Sequence, residues 1–110
     1  MDCLFCKIMA GELPSATVYE NDQVRVIRDI APVAPVHLLV LTKEHIQSAA
    51  CLAEEHAALM THIWTVVIPA LAEHFPDGFR VVTNAGEDSG QSVPHLHFHV
   101  LGGKILGPVG

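Results

Sequence analysis

Three histidines alternate with apolar residues in the run His95-Leu96-His97-Phe98-His99-Val100-Leu101. Imidazole can serve near neutral pH as a nucleophile, as a general acid or base, or as a metal ligand. A period of two marks a strand, with the three histidines on one face and Leu96, Phe98 and Val100 on the other. Three imidazoles on one sheet face make poor core material, so the pattern points to chemistry. Alternate strand residues lie about 6.6 Å apart, which separates His95 from His99 by about 13 Å at Cα. Zinc holds its nitrogen ligands at about 2.0–2.1 Å. No single ion is therefore expected to take all three, and at least one histidine is left for catalysis.

Just upstream lies Asn84-Ala85-Gly86-Glu87-Asp88-Ser89-Gly90-Gln91-Ser92. Glycines let backbone amides approach a phosphate closely, and the Ser92 hydroxyl can donate to an oxyanion or a leaving group. At the other end of the chain, Cys3-Leu4-Phe5-Cys6 is a CxxC pair. By itself it is half of a zinc site or a redox pair.

These residues need a scaffold. Residues 17–19, 24–28, 37–42, 79–84 and 94–102 read as five strands, with Asn21-Asp22 supplying hairpin chemistry between the first two. A short helix is expected over 5–10. A long one is expected over 52–75, where Leu52, His56, Leu59, Met60, Ile63, Val67, Leu71 and Phe75 recur at helical spacing. Pro69 removes one backbone donor and should bend or break that helix. Trp64 and Ile68 widen its apolar face, which suits either a larger core or a subunit contact. The pattern predicts an α+β fold, an antiparallel five-stranded sheet covered by one long helix, with residues 1–110 forming a single domain.

Half of the 110 residues are hydrophobic and 16% are charged, which is a globular composition. A formal charge of −6 argues against binding long nucleic acid, which calls for basic stripes. No apolar run reaches membrane-spanning length, and Met1-Asp2-Cys3 does not begin a secretory leader. Three cysteines, an odd number, fit a reduced cytoplasmic setting better than a disulfide framework.

The histidine run resembles the signature of the histidine-triad (HIT) superfamily, His-φ-His-φ-His-φ-φ with φ hydrophobic, at every position. The resemblance extends to Asp29-Ile30 with Pro32, Ala34 and Pro35, to His37, Lys43-Glu44-His45, Gly90-Gln91-Ser92 and Leu101-Gly102-Gly103. Nearly the whole chain is similar to the nucleoside phosphoramidate hydrolase branch. That branch forms homodimers with a sheet continuous across the pair. Its members bind purine nucleoside monophosphates and cleave the P–N bond of adenosine or guanosine phosphoramidates. The resemblance implies that His97 is the nucleophile and carries a covalent nucleotidyl group that water releases. It further implies that His99 contacts the α-phosphate, and that Ser92 with the amides around Gly90 and Gln91 assists the phosphate and the departing amine. Asp29 would accept ribose hydroxyls, Ile27 and Ile30 would wall the base, Asn84 would help hold the nucleotide, and His37 would support the triad. Some bacterial relatives carry a structural zinc on a CxxC and two histidines, which implies Cys3, Cys6, His45 and His95 here.

The chain departs from its relatives in three places. Pro94 replaces an aromatic residue before the triad, Pro69 interrupts the main helix, and the C-terminal segment lacks a tryptophan, the only one being Trp64. Two other readings compete. One is a dinucleoside polyphosphate hydrolase of a sister branch, which Leu101-Gly102-Gly103 disfavours. The other is a zinc-stapled nucleotide-binding regulator with little turnover.

Overall fold

Alternation of apolar residues organises the molecule around one antiparallel sheet. A computed structural model describes residues 3–108. The strands are β1 (Thr17–Glu20), β2 (Val24–Arg28), β3 (Val36–Thr42), β4 (Phe79–Val82) and β5 (His97–Gly102), in the order β1-β2-β3-β5-β4. The turn between β1 and β2 is built by Asn21, whose side-chain oxygen accepts from the amides of Gln23 (2.8 Å) and Val24 (3.0 Å). The predicted α+β architecture with five antiparallel strands is the one observed.

The two sheet faces have different partners. Val24, Val26, Leu38, Val40, Phe98 and Val100 pack with Ile63, Val67, Leu71 and Phe75 of the long helical segment. Ile27, Leu39 and Leu41 face the other way, against Cys3, Phe5 and Ile8. Those last residues belong to or flank the short helix α1 (Leu4–Met9). The register pairs Leu39 with His99 and Leu41 with His97, so the catalytic candidates lie on the α1 face.

The helical segment is less uniform than its periodicity predicts. It opens with 3-10 turns at Ala49–Cys51 and Glu54–His56. It continues as α2 (Ala57–His62), a π turn at Ile63–Val67 and α3 (Ile68–Leu71), and closes with a 3-10 turn at Ala72–His74. Leu52 and Phe75 fall outside the helical turns. The π turn lies directly before Pro69, and the Ile68 amide reaches back five residues to the Ile63 carbonyl. That wider turn absorbs the missing proline donor and keeps the helix running. Ile68 is buried, whereas Trp64 is half-exposed with its ring edge-on to Phe98. Among the described residues, no helix is long and apolar enough to cross a membrane.

The ends of β4 and β5 leave room only for hydrogen at Gly102. A Cβ there would lie 2.6 Å from the Phe75 ring and 2.9 Å from the Gly78 carbonyl oxygen. Gly102→Ala is therefore expected to destabilise the fold by about 1–3 kcal/mol, the usual cost of overpacking. A lowered urea midpoint with an unchanged slope would register it.

Candidate active site

His97 and His99 project from β5 into a cleft of about 430 Å³. Its walls are Leu4, Phe5 and Ile8 of α1, Ile27 and Leu39 of the sheet, and Asp29, Ile30, Ser92 and Val93 of the adjoining loops. A larger concavity of about 600 Å³ beside β4 contains Arg80 and Lys104 but no histidine, serine or cysteine. The chemistry belongs to the smaller, more apolar cleft.

His97 is buried, and its Nδ1–H donates to the His95 carbonyl at 2.6 Å. This fixes one tautomer and leaves Nε2 with its lone pair, the state a histidine nucleophile requires. The Phe5 ring packs edge-on against His97 with centroids 4.9 Å apart, limiting rotation of the imidazole. His99 lies beside it, with ring centroids 5.0 Å apart. His37, buried on β3, places Nε2 2.9 Å from His99 Nδ1 and 3.3 Å from Asp29 Oδ2. The other Asp29 oxygen accepts from the Ala31 amide at 2.8 Å.

Burial pushes His99 down to about 4, with His97 and His37 adding to the effect and Asp29 opposing it. Burial also lowers His37, again against Asp29. Both rings are thus neutral at pH 7. The unfolded chain takes up these protons below the ordinary histidine value, while the folded chain resists to lower pH, at His99 down to about 4. Stability carried by these groups is full above about pH 6.5 and falls as pH drops towards 4. A urea midpoint lower at about pH 5 than at about pH 7.5, with a shallower dependence in His99→Asn, is the expected result.

The 84–92 loop differs from its expected role. Gly86 and Gly90 take positive φ, and the Gly90 amide is spent on the Glu87 carbonyl at 2.9 Å. The Gln91 side chain is a clamp. Its oxygen accepts from the Gly86 amide, and its nitrogen donates to the carbonyls of Gln47 and Val93. Asn84, Gly90 and Gln91 lie outside the cleft lining, so Ser92 is the member of this loop that reaches the cleft. Ile30 stands at the rim, 96% exposed. The α1 wall and Leu39 are not evident from the sequence, although the position of Phe5 inside the CxxC is a hint.

His95 stays on the α1 side with the other two histidines, its ring edge-on to Phe5 with centroids 5.9 Å apart, but it lies outside the paired part of the strand. β5 begins at His97, after a bend at 93–95 in which the His95 amide donates to the Val93 carbonyl at 2.8 Å. The fully buried His95 ring meets the cysteine pair there. Its Nδ1 is 3.2 Å from Cys3 Sγ, 3.5 Å from Cys6 Sγ and 3.1 Å from His45 Nδ1, and Cys6 Sγ is 3.3 Å from His45 Nδ1. A tetrahedral zinc with sulfur ligands at about 2.3 Å and nitrogen at about 2.0 Å has N···N and N···S edges of about 3.3 and 3.5 Å. The observed spacings are within a few tenths of those edges. His95 Nε2–H donates to the Thr42 carbonyl at 2.7 Å, which leaves Nδ1 as a bare donor atom aimed at the cluster. Burial, then the hydrogen bond and charge of Cys3, push the Cys6 thiol up, so a bound cation would have to draw off its proton. The four donors fit a closed zinc site.

Residues 2–109 match the sequence profile of the family described as "Scavenger mRNA decapping enzyme C-term binding". The chain is 43% identical over 105 residues to protein HitA of Neisseria gonorrhoeae, an alignment covering 94% of this chain and 98% of that protein. Among solved structures, a histidine triad protein from Clostridium difficile superposes with a TM-score of 0.92 at 46% identity, covering 100% of this chain and 97% of the other. A HIT family hydrolase from Clostridium thermocellum gives a TM-score of 0.91 at 41% identity, covering 98% and 96%.

Proposed function

The chain belongs to the histidine-triad superfamily, and from that premise we propose that it hydrolyses purine nucleoside phosphoramidates through a nucleotidyl intermediate on His97. The observation that carries this reading is the Nδ1–H bond from His97 to the His95 carbonyl, which bares Nε2 in the cleft. Nε2 attacks the α-phosphorus, forming an N–P bond as the substrate P–N bond breaks. The amine leaves after taking a proton relayed from water through the Ser92 hydroxyl. Water then attacks phosphorus and gives up a proton to solvent, and His97 departs as neutral imidazole. The purine nucleoside monophosphate is released. The negative phosphate oxygens meet the Nε2–H of His99, while Asp29 takes the ribose hydroxyls and Ile27 and Ile30 flank the base.

In this reading Cys3, Cys6, His45 and His95 would hold zinc. The metal would tie α1 to the sheet and would supply no chemistry to the phosphate. The catalytic unit is a homodimer, supported by the open outer edge of β4 and by half-exposed Trp64 and Val66 on the helical segment. Light scattering is expected to give twice the 11.9 kDa chain mass; a monomer at micromolar concentration would remove the dimer from the proposal.

The reading is tested by mixing the protein with an adenosine phosphoramidate and, separately, with a diadenosine polyphosphate, quenching early and weighing the intact chain. An added adenylyl mass with faster turnover of the phosphoramidate supports the proposal. Faster turnover of the polyphosphate transfers it to the sister reaction, and binding without turnover of either points to a regulator.

A further inference from the structure

Asp29, His37 and His99 bring one carboxylate oxygen and two ring nitrogens within 4.8 Å of one another. By atom type alone this is a two-histidine, one-carboxylate metal set. The hydrogen bonds assign it otherwise. The exposed loop residue Val33 donates its amide N–H to His37 Nδ1 at 3.1 Å. That nitrogen must hold the lone pair, so the single proton of a neutral His37 ring is on Nε2. Nε2–H then faces two acceptors, His99 Nδ1 at 2.9 Å and Asp29 Oδ2 at 3.3 Å. An accepting Nδ1 on His99 puts that ring's own proton on Nε2, at the edge away from His37.

We infer that Val33 N–H, His37 and His99 form a directional hydrogen-bond chain in which His37 is a positioning residue, holding His99 as the Nε2–H tautomer so that it offers the cleft a neutral donor. The same direction bars a metal ion from the cluster. A cation on His37 Nε2 would force the ring proton onto Nδ1, directly against the Val33 N–H. Asp29 is the alternative acceptor for the His37 proton, and its fixed bond from Ala31 N–H holds the carboxylate at the longer of the two distances. Burial keeps both rings neutral, as the chain requires. Only the identity of the group that meets His99, a nucleotide phosphate, rests on the functional reading above.

Two-bond ¹⁵N–¹H correlation spectra of the uniformly ¹⁵N-labelled full chain report the tautomer of each histidine directly, with no substrate present. The expected result at about pH 7 is protonated Nε2 on His37 and His99, against protonated Nδ1 on His97. A protonated Nδ1 on His99 would overturn the inference whether or not the protein turns over phosphoramidates. In His37→Phe the His99 ring loses its partner and should show mixed tautomers; an unchanged His99 pattern would also overturn it. With a phosphoramidate substrate, His37→Phe should lower kcat about tenfold, one neutral hydrogen bond's worth, with KM little changed. Zinc titration should saturate at one ion per chain, and a second ion lost in His37→Phe would show that the cluster is a metal site instead. The wild-type spectrum decides the question even if the variant fails to fold.

Discussion

His97→Ala is expected to abolish phosphoramidate turnover, by on the order of 10⁴-fold or more, while nucleotide monophosphate still binds. The size follows from the role. Removing a nucleophile removes the covalent route and not a fraction of its stabilisation, and comparable deletions in other hydrolases cost that much. Binding persists because much of the cleft wall comes from other residues, among them Leu4, Ile8, Ile27 and Asp29. The vacated imidazole also leaves a gap beside Phe5, and a small loss of stability should accompany the kinetic effect. Single-turnover kinetics together with calorimetric titration of AMP separate the two. Retained turnover in His97→Ala would rule out the nucleotidyl-histidine mechanism, and lost AMP binding would show that His97 shapes the cleft as well as attacking.

The part of this site legible in the sequence is the part written in local periodicity. His97 and His99 share a face because the alternation and the backbone agree from 97 to 102. At His95 the ladder pairing is gone, yet the side chains still alternate, with Leu96 packed beside Phe98 and Val100 and His95 against Phe5. Pro94 and the turn bond from the His95 amide to the Val93 carbonyl bend the chain, while the alternating residue types run on. Period-two reasoning puts His95 on the correct side of the sheet, opposite Leu96, but only the resemblance to known relatives places its ring with the cysteines. The contact of Asp29 and His37 with His99 is set by the β2–β3–β5 register, a long-range property that no spacing of residues reveals. Gln91 misleads for another reason. A Gly-rich stretch before a histidine strand suggests amides free for phosphate, whereas here a single side-chain amide takes up the Gly86 donor and ties the loop to Gln47 and Val93. Pro69 was legible as a disturbance, but the π turn that absorbs it depends on packing of Ile63, Val67 and Ile68 against the sheet.

Removing the metal donors should have the second large effect, and it should reach the active site. Wild-type protein is expected to carry one zinc per chain, and the double variant Cys3→Ser/Cys6→Ser essentially none. An ion present at on the order of 100 times its Kd contributes about 2.7 kcal/mol to the folded state. For a domain of this size that loss lowers Tm by roughly 10–20 °C. The consequence for the cleft follows from the position of α1. Cys3 is its N-cap and Cys6 its third residue, while Leu4, Phe5 and Ile8 on the same turn and a half form one wall of the cleft. His95 joins the two sites from the other side, with its ring at the cysteines and its carbonyl accepting the His97 Nδ1–H. Once the tie is cut, α1 is held by its apolar contacts and by the hydrogen bond from Arg25 to the Ile8 carbonyl at 2.9 Å, and AMP affinity should fall even though no nucleotide contact has been mutated. Elemental analysis, thermal melts and AMP titration of the two proteins check the argument in order. Equal, near-zero metal in both would refute the zinc site itself. Lost metal with unchanged AMP affinity would confine the staple to stability and uncouple it from the cleft.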